Sequence, residues 1–357
     1  NLPPRHEAKL FATAAEALRS TGLPAEPRLV ALRSLRTALL LVFRDPVTGD
    51  QVAAVEQFCR ERSFDRIYHP GLRREEANRH NRVDGAPYFT LFRAILNEPD
   101  AAFRRHLFRI RPATDNRPYF AHFFKWAALP QLLAKTGRNV AIHVGWGYMF
   151  LLITLAQAIP LGIVLILLPL GLVRRRGPSS YPHRLRACTY FAALGLGFMF
   201  LELAAIQQFV RFLPHPVYAF GITIGIVLLF SGLGSLASGH RAVTHPRLFG
   251  GILLLMLVHA VLWQIGIRLR STALFCVDVV VIALLAFAMG MPFPRAIEHL
   301  RARAPELVPW GWGLNGFVSV IAVLAAGLVS LSWGLSAAVL LAAGCYAAAA
   351  LLFPGRP

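Results

Sequence analysis

Residues 148–173 read YMFLLITLAQAIPLGIVLILLPLGLV and contain no charged side chain. A stretch of about 20 apolar residues is long enough to cross the hydrocarbon core of a bilayer as a helix, and a helix satisfies its own backbone groups there. Further apolar stretches follow it to the end of the chain. The sequence predicts a polytopic membrane helix bundle with seven spans: Tyr148–Val173, Ala187–Phe209, Val217–Ala237, Phe249–Ile267, Ala273–Gly290, Gly311–Leu331 and Leu335–Phe353.

The composition agrees with a membrane protein. The hydrophobic fraction is 56%, the mean hydropathy is +0.52 and the net charge is +19. The charge could indicate nucleic-acid binding, but the chain carries no recognised nucleic-acid motif and no basic–aromatic sheet pattern. Contact with anionic lipid is therefore the favoured interpretation, with the bilayer as partner.

The loops between the spans differ in arginine content. Eleven arginines lie in the loops after the first, third and fifth spans and in the tail, against three in the other set, and an excess of basic residues marks the cytoplasmic side. This count predicts that Pro357 is cytoplasmic and that residues 1–140 are extracytoplasmic. The richer set is Arg174, Arg175, Arg176, Arg184, Arg186, Arg241, Arg247, Arg295, Arg301, Arg303 and Arg356, and the poorer set is Arg211, Arg268 and Arg270.

The polar part in front of the first span predicts an α/β layer. Its predicted helices are Glu7–Arg19 and Thr48–Arg62, and its predicted strands are Arg28–Arg33, Thr37–Phe43 and Phe64–Tyr68. Residues 73–110 are predicted to be mostly helical. This piece alone is too small for a complete doubly wound sheet.

No glycine-rich loop for a nucleotide or a phosphate occurs before the membrane. Gly22, Gly49, Gly71, Gly85 and Gly137 are isolated, so no cofactor is evident in this chain. The four cysteines are scattered and predict neither a disulfide framework nor a metal site. Cys59 is either a reactive thiol or a small buried hydrophobic residue.

The stretch 111–120, RPATDNRPYF, is the most distinctive polar motif. Its prolines restrict the backbone, and Arg111 and Arg117 could pair with Asp115 or with an anionic ligand. The aromatic residues that follow it resemble an interfacial belt: Tyr119, Phe120, Phe123, Phe124 and Trp126. We consider two roles for this region, a structural latch between the polar and membrane parts and a substrate gate.

Glu202 lies inside the second predicted span. A carboxyl group in hydrocarbon is costly unless it is paired, so it usually faces the bundle interior. The group could form a proton- or cation-binding cluster, or a structural hydrogen-bonded knot between helices. The candidate partners for either role are Gln207, Gln208, His215, His259, Gln264 and Asp278; Arg211 could also reach back, and His259 alone could be an ordinary core histidine.

Small residues and prolines predict how the helices pack and where they break. Gly195, Gly197, Gly221, Gly225 and residues 231–239 (SGLGSLASG) would let helices approach closely. Residues 289–294 (MGMPFP) should end or kink the fifth span, and Pro160 should bend the first. Asn315, near the inner face, could bind a headgroup or another helix.

Taken together, these motifs resemble the bacterial integral-membrane spermidine synthase-like proteins, which are AdoMet-dependent methyltransferase-like. The matching stretches are 111–126 (RPATDNRPYFAHFFKW), 195–216 (GLGFMFLELAAIQQFVRFLPHP), 229–239 (LFSGLGSLASG), 289–294 and 308–316. The front piece resembles the end of that family's spermidine synthase-like domain. Because the chain begins at Asn1 in what reads as mid-domain sequence, we expect it to be the C-terminal piece of a longer protein.

The resemblance implies a Rossmann-like domain ending near residue 110, a connector at 111–146 and a membrane domain at 147–357, in the bacterial inner membrane. AdoMet or decarboxylated AdoMet would bind mainly to upstream residues of the same polypeptide. No catalytic residue is therefore assigned here; Glu202, His215, Asp115 and Arg117 match the family's motifs without assigned roles.

Three functions follow as hypotheses. The first is a membrane-anchored aminopropyl- or methyltransferase. The second is a transporter-like module that binds a polyamine or other small cation at Glu202, and the third is an assembly scaffold. The first conflicts with the arginine count, since AdoMet is cytosolic and the count places the front domain outside.

Overall fold

The structure, a computed structural model, describes residues 3–35, 37–136, 146–173, 184–239, 244–269 and 271–353. Contacts divide the chain into a front unit, residues 1–114 and 118–149, and a membrane unit, residues 115–117 and 150–357. Several positions used in the sequence analysis lie outside the described residues: Gly137, Arg174, Arg175, Arg176, Arg241, Arg270 and Arg356.

The predicted helices and strands of the front unit are confirmed, with small shifts at their ends. The helices are α1 (His6–Ser20), α2 (Gly49–Arg62), α3 (Pro87–Asn97), α4 (Pro99–Arg105) and α5 (Leu129–Thr136). The strands are β1 (Leu29–Arg33), β2 (Ala38–Val42) and β3 (Asp65–Tyr68).

Local sequence explains where α2 begins and ends. The Thr48 side chain accepts a hydrogen bond from the Gln51 backbone, and Gln51 reciprocates to the Thr48 N–H, which completes a capping box. Ser63 then takes a left-handed conformation, φ 55°, at the C-terminal end of the helix. The chain is thereby turned directly into β3.

Within the described part of the front unit the strands form one antiparallel sheet, in the order β2-β1-β3. Leu29 pairs with Val42 and Arg33 with Ala38. A Rossmann-like domain is built on a mostly parallel sheet instead, so this arrangement does not show one.

The two faces of β1 belong to different clusters, because side chains alternate along a strand. Leu29 and Ala31 join the main core with α1 and α3, whereas Val30 and Leu32 pack with Cys59 of α2. Burial raises the pKa of the Cys59 thiol to about 11, so the reactive thiolate is scarce near neutral pH. The structure thus favours Cys59 as a small core residue.

The membrane unit confirms the predicted spans: among the described residues, seven helices are long and apolar enough to cross a bilayer. We number them as the first to the seventh span. Their bounds are Trp146–Leu172, Arg184–Phe209, Pro216–Gly239, His245–Gly266, Thr272–Arg303, Pro305–Trp333 and Leu335–Leu352.

The fifth span is interrupted near its prolines, as predicted, whereas the first span continues through Pro160 and changes its helix type after it. Pro160 lies inside the helix Trp146–Gly162, which is followed by a π-helical segment, Ile163–Leu167, and a last helical piece, Leu168–Val173. The fifth span consists of a helix that ends at Met289 and a second helix from Pro292 to Arg303. A proline ring cannot continue the hydrogen-bond ladder of the helix before it.

Glycines bring the third and fifth spans into backbone contact. A Cβ built on Gly234 would lie 1.9 Å from the Phe287 carbonyl oxygen, and one on Gly290 would lie 2.0 Å from that of Ser231. At Gly221 and Gly225 the described residues show no close approach, since a Cβ on either would meet none of their atoms within 4 Å.

Contacts of the second span with later spans also depend on small residues. Cβ atoms built on Gly195 and Gly197 would come within 2.9 Å of atoms of Asn315 and Tyr346, respectively. Asn315 itself donates a hydrogen bond to the Phe191 carbonyl at 3.0 Å. Of the two predicted partners for Asn315, a headgroup or a helix, the structure shows the helix.

Candidate functional site

Glu202 lies on the second span beside a cavity with apolar walls. The walls come from the second, third and fifth spans: Phe198, Leu201, Ala205, Val227, Ile282, Ala286 and Met289. The free volume is about 10 Å³, which is room for one water molecule. Within the described residues Glu202 has neither a hydrogen bond nor an ion pair. This cavity has room for a proton or a water at the carboxyl group but not for an extended polyamine.

His259 and Asp278 form a pair between the fourth and fifth spans. The histidine Nδ1 and the carboxylate Oδ1 are 2.7 Å apart. The exposed fraction is 0% for His259 and 5% for Asp278. His259 Nε2 is buried and has no hydrogen-bond partner among the described residues. Two of the predicted partners of Glu202 therefore partner one another instead.

An aromatic layer lies one helical turn from this pair, toward the connection between the fourth and fifth spans. Phe212 stacks on Phe275 with ring centroids 4.9 Å apart and meets Trp263 edge-on at 6.2 Å. Trp263 follows His259 by four residues and Phe275 precedes Asp278 by three, so each shares a helix face with a member of the pair. The aromatic layer thus covers the pair at this end of the bundle.

Arg211 joins the aromatic layer to the segment 115–117. Its guanidinium carbon lies 5.4 Å from the centroid of the Trp263 ring, and its Nη2 lies 2.9 Å from Asp115 Oδ1. Arg211 belongs to the loop set with few arginines, so residues 115–117 lie at that end of the membrane unit.

The remaining polar candidates do not join one cluster. His215 caps the third span, because its Nδ1 accepts the Val217 N–H at 3.2 Å. Gln208 is 1% exposed, and its Oε1 has no partner among the described residues. Gln207 is half-buried and Gln264 is exposed, and neither contributes to the cavity beside Glu202.

Asn116 has a structural role that the sequence analysis missed. Its carbonyl accepts the Leu335 N–H at 2.9 Å, and its Oδ1 accepts the Ser336 N–H at 2.8 Å. Asn116 therefore caps the seventh span, whose own preceding residue is Gly334 at φ 102°. Asparagine is a favoured cap, but its distance of more than 200 residues from this helix hid the contact.

The arginines of the 111–120 motif do not pair with Asp115, which corrects that prediction. Arg111 lies 3.5 Å from Asp100, and Arg117 donates to the Trp333 carbonyl at 3.2 Å. Asp115 forms its ion pair with Arg211 instead. Residues 115–117 thus make three separate attachments within the membrane unit.

Two lysines, the buried Lys9 and the half-buried Lys125, hold the aromatic stretch after the motif inside the front unit. Lys9 donates to the carbonyls of Tyr119 at 3.1 Å and His122 at 3.2 Å. Burial, with a smaller contribution from Arg109, lowers the pKa of Lys9 to about 8. Lys125 donates to the carbonyls of Phe103 and His106 in the same way.

The described residues include no group of three or more His, Cys, Asp or Glu side chains that could hold a metal ion. Comparison with known proteins finds no matching family model, no matching curated protein and no matching solved structure.

Proposed function

We propose that this chain is the C-terminal membrane part of a spermidine synthase-like, AdoMet-type transferase-like protein. The membrane spans would anchor the protein, and the front unit would complete a Rossmann-like transferase domain built mainly from upstream residues of the same polypeptide. The motif resemblance suggested this function.

The observation that carries the proposal is the exposed apolar surface of β2. Leu39 and Val42 are 39% and 52% exposed, although β2 has a strongly apolar sequence, ALLLV. Within the described sheet β2 is also an edge strand, with one side of its backbone unpaired. An apolar, unpaired edge is a template for another strand. Upstream strands of a transferase domain would cover it.

Residues 115–117 are the centre of the motif that resembles the family's connector. Within the membrane unit Asn116 caps the seventh span and Asp115 pairs with Arg211. The polyamine-transport hypothesis has less support, because the cavity at Glu202 has room for about one water.

Binding of AdoMet or decarboxylated AdoMet to the full-length protein in lipid nanodiscs tests the proposal. We expect saturable binding of at least one of them by calorimetry. In that protein Leu39→Arg should weaken binding, because a charge on β2 disrupts the covering strand. Leu10→Arg is the matched control: Leu10 is 46% exposed but lies on α1, outside the sheet. Absence of binding of both compounds by the folded protein would contradict the proposal and favour a scaffold.

The side of the membrane is a second test. A single cysteine at Arg73, whose side chain is 78% exposed, would be treated with an impermeant maleimide on intact cells. A transferase that uses cytosolic AdoMet requires protection until the cells are permeabilised. Labelling of intact cells would agree with the arginine count and would exclude that reaction.

A further inference from the structure

We propose that His259 and Asp278 form a proton-binding site inside the membrane unit, with His259 Nε2 as the atom that takes the proton. This site does not depend on the transferase function. It would make the packing of the fourth and fifth spans sensitive to protonation.

The first argument is charge. Asp278 and His259 are both buried, and their hydrogen bond is 2.7 Å long. An ionised aspartate beside a neutral histidine would leave a net negative charge among apolar side chains, which is strongly unfavourable. One proton on the pair makes it neutral as a whole. The transfer is balanced: a neutral imidazole and a carboxylate plus one proton give an imidazolium paired with a carboxylate.

The second argument is geometry. With Nδ1–H directed at Asp278, the free lone pair of the imidazole is on Nε2, and this atom is buried without a partner among the described residues. Such an atom in a protein interior calls for an explanation. Protonation at Nε2 uses the free lone pair of the imidazole and keeps the hydrogen bond to Asp278 intact.

The third argument is the absence of another neutralising charge near the pair in the described structure. The Arg211 guanidinium contacts the Trp263 ring of the aromatic layer, but its charge is balanced by Asp115. The third span, packed on the fifth, has no charged side chain. The seventh span, packed on the fourth, contributes Cys345 and Tyr346, and Tyr346 contacts Phe249 near the opposite end of the fourth span. Glu202 lines a cavity with Ile282, one helical turn beyond Asp278. It is a carboxyl group, so it cannot neutralise the charge of Asp278.

A metal ion is a poorer fit than a proton. The pair offers two ligand groups, and the described residues contain no third His, Cys, Asp or Glu that completes a metal set.

The experiment compares stability with pH in the intact chain, in lipid–detergent micelles, by SDS-induced unfolding. The parent is Glu202→Gln, so that the Glu202 carboxyl group does not titrate. Above the ordinary histidine pKa of about 6.5, the unfolded chain leaves the pair unprotonated while the folded chain keeps one proton. Between about pH 7 and pH 8.5, proton release from the pair should therefore raise the unfolding equilibrium constant of the parent about tenfold per pH unit. The parent that also carries Asp278→Asn should lack this tenfold rise.

Thr223→Val is the matched control in the same background. Thr223 is fully buried on the third span and its hydroxyl has no partner among the described residues, but it does not titrate. It should keep the full pH slope of the parent. Changes from other titrating groups, Lys9 included, cancel in these comparisons.

If Asp278→Asn does not fold, the double variant His259→Phe with Asp278→Leu replaces both polar groups by apolar ones. Such replacements of buried pairs are often neutral or stabilising. It should lose the same pH slope. Either folded variant with the full slope of the parent would overturn the proposal.

Discussion

Asp65 in the front unit and Glu202 in the membrane unit are carboxyl groups with opposite surroundings. In the front unit Asp65 is 2% exposed and accepts hydrogen bonds from the backbone of His80 at 2.6 Å and Asn81 at 2.7 Å, with Arg33 at 3.5 Å. In the membrane unit Glu202 has no partner within the described residues, and the His259–Asp278 pair leaves Nε2 open. Satisfied groups fix a structure, whereas under-satisfied ones are the places where function is expected.

The largest effect should come from removing the satisfied carboxylate. Asp65→Ala removes the carboxylate beside the buried Arg33 and the acceptor of two part-buried backbone N–H groups, so the front unit should lose about 3–5 kcal/mol of unfolding free energy. Hydrogen exchange of β1 and β3 in the intact chain measures this. Asp45→Ala, at an exposed position, should change little. A small effect of Asp65→Ala would mean that Asp65 does not contribute more to stability than Glu202.

The next effect tests whether the front unit buries a neutral histidine. Burial, followed by the charges of Arg109 and Lys9, lowers the pKa of His122 to about 4. Between about pH 6.5 and pH 4 the unfolded chain therefore binds one more proton than the folded chain, and stability falls by about 3 kcal/mol as the pH is lowered.

His122→Asn should remove this part of the acid sensitivity, as measured by hydrogen exchange of the front unit across the same range. The exposed Asn97 provides the control, since Asn97→Ala removes no titrating group and should leave the pH slope unchanged. Equal slopes in wild type and His122→Asn would contradict the assignment.

In the membrane unit, glycines bring the backbones of the third and fifth spans into contact. Adding one methyl group at such a glycine tests this contact. Gly234→Ala would place a Cβ 1.9 Å from the Phe287 carbonyl oxygen, so the third and fifth spans must separate. We expect a loss of about 1–3 kcal/mol, the usual cost of overpacking. Gly232→Ala is the control on the same helix, with no atom within 4 Å of its Cβ. Equal SDS-unfolding curves for the two variants would show that this close contact does not contribute.

The smallest effect should come from Glu202→Gln. The amide keeps the size of the half-buried side chain and breaks no described hydrogen bond, so the unfolding free energy should change by about 1 kcal/mol or less. The same measurement in lipid–detergent micelles checks this. A loss as large as that of Asp65→Ala would mean that Glu202 is a structural group, like Asp65.

The sequence by itself determined the class of protein and most of its local structure. The seven spans follow from apolar length alone, and Thr48 with Gln51 marks the start of α2 within four residues. The break between Met289 and Pro292 is equally local. Each of these depends on neighbours along the chain, which a sequence displays directly.

The tertiary structure alone decided which distant groups meet. Asn116 caps a helix that begins at Leu335, Asp115 pairs with Arg211, and His259 pairs with Asp278 rather than with Glu202. The face that a membrane helix turns to its neighbours is hard to read from a sequence that is apolar all round. Such partners follow from the packing of the spans, where small residues such as Gly234 set how closely two backbones approach.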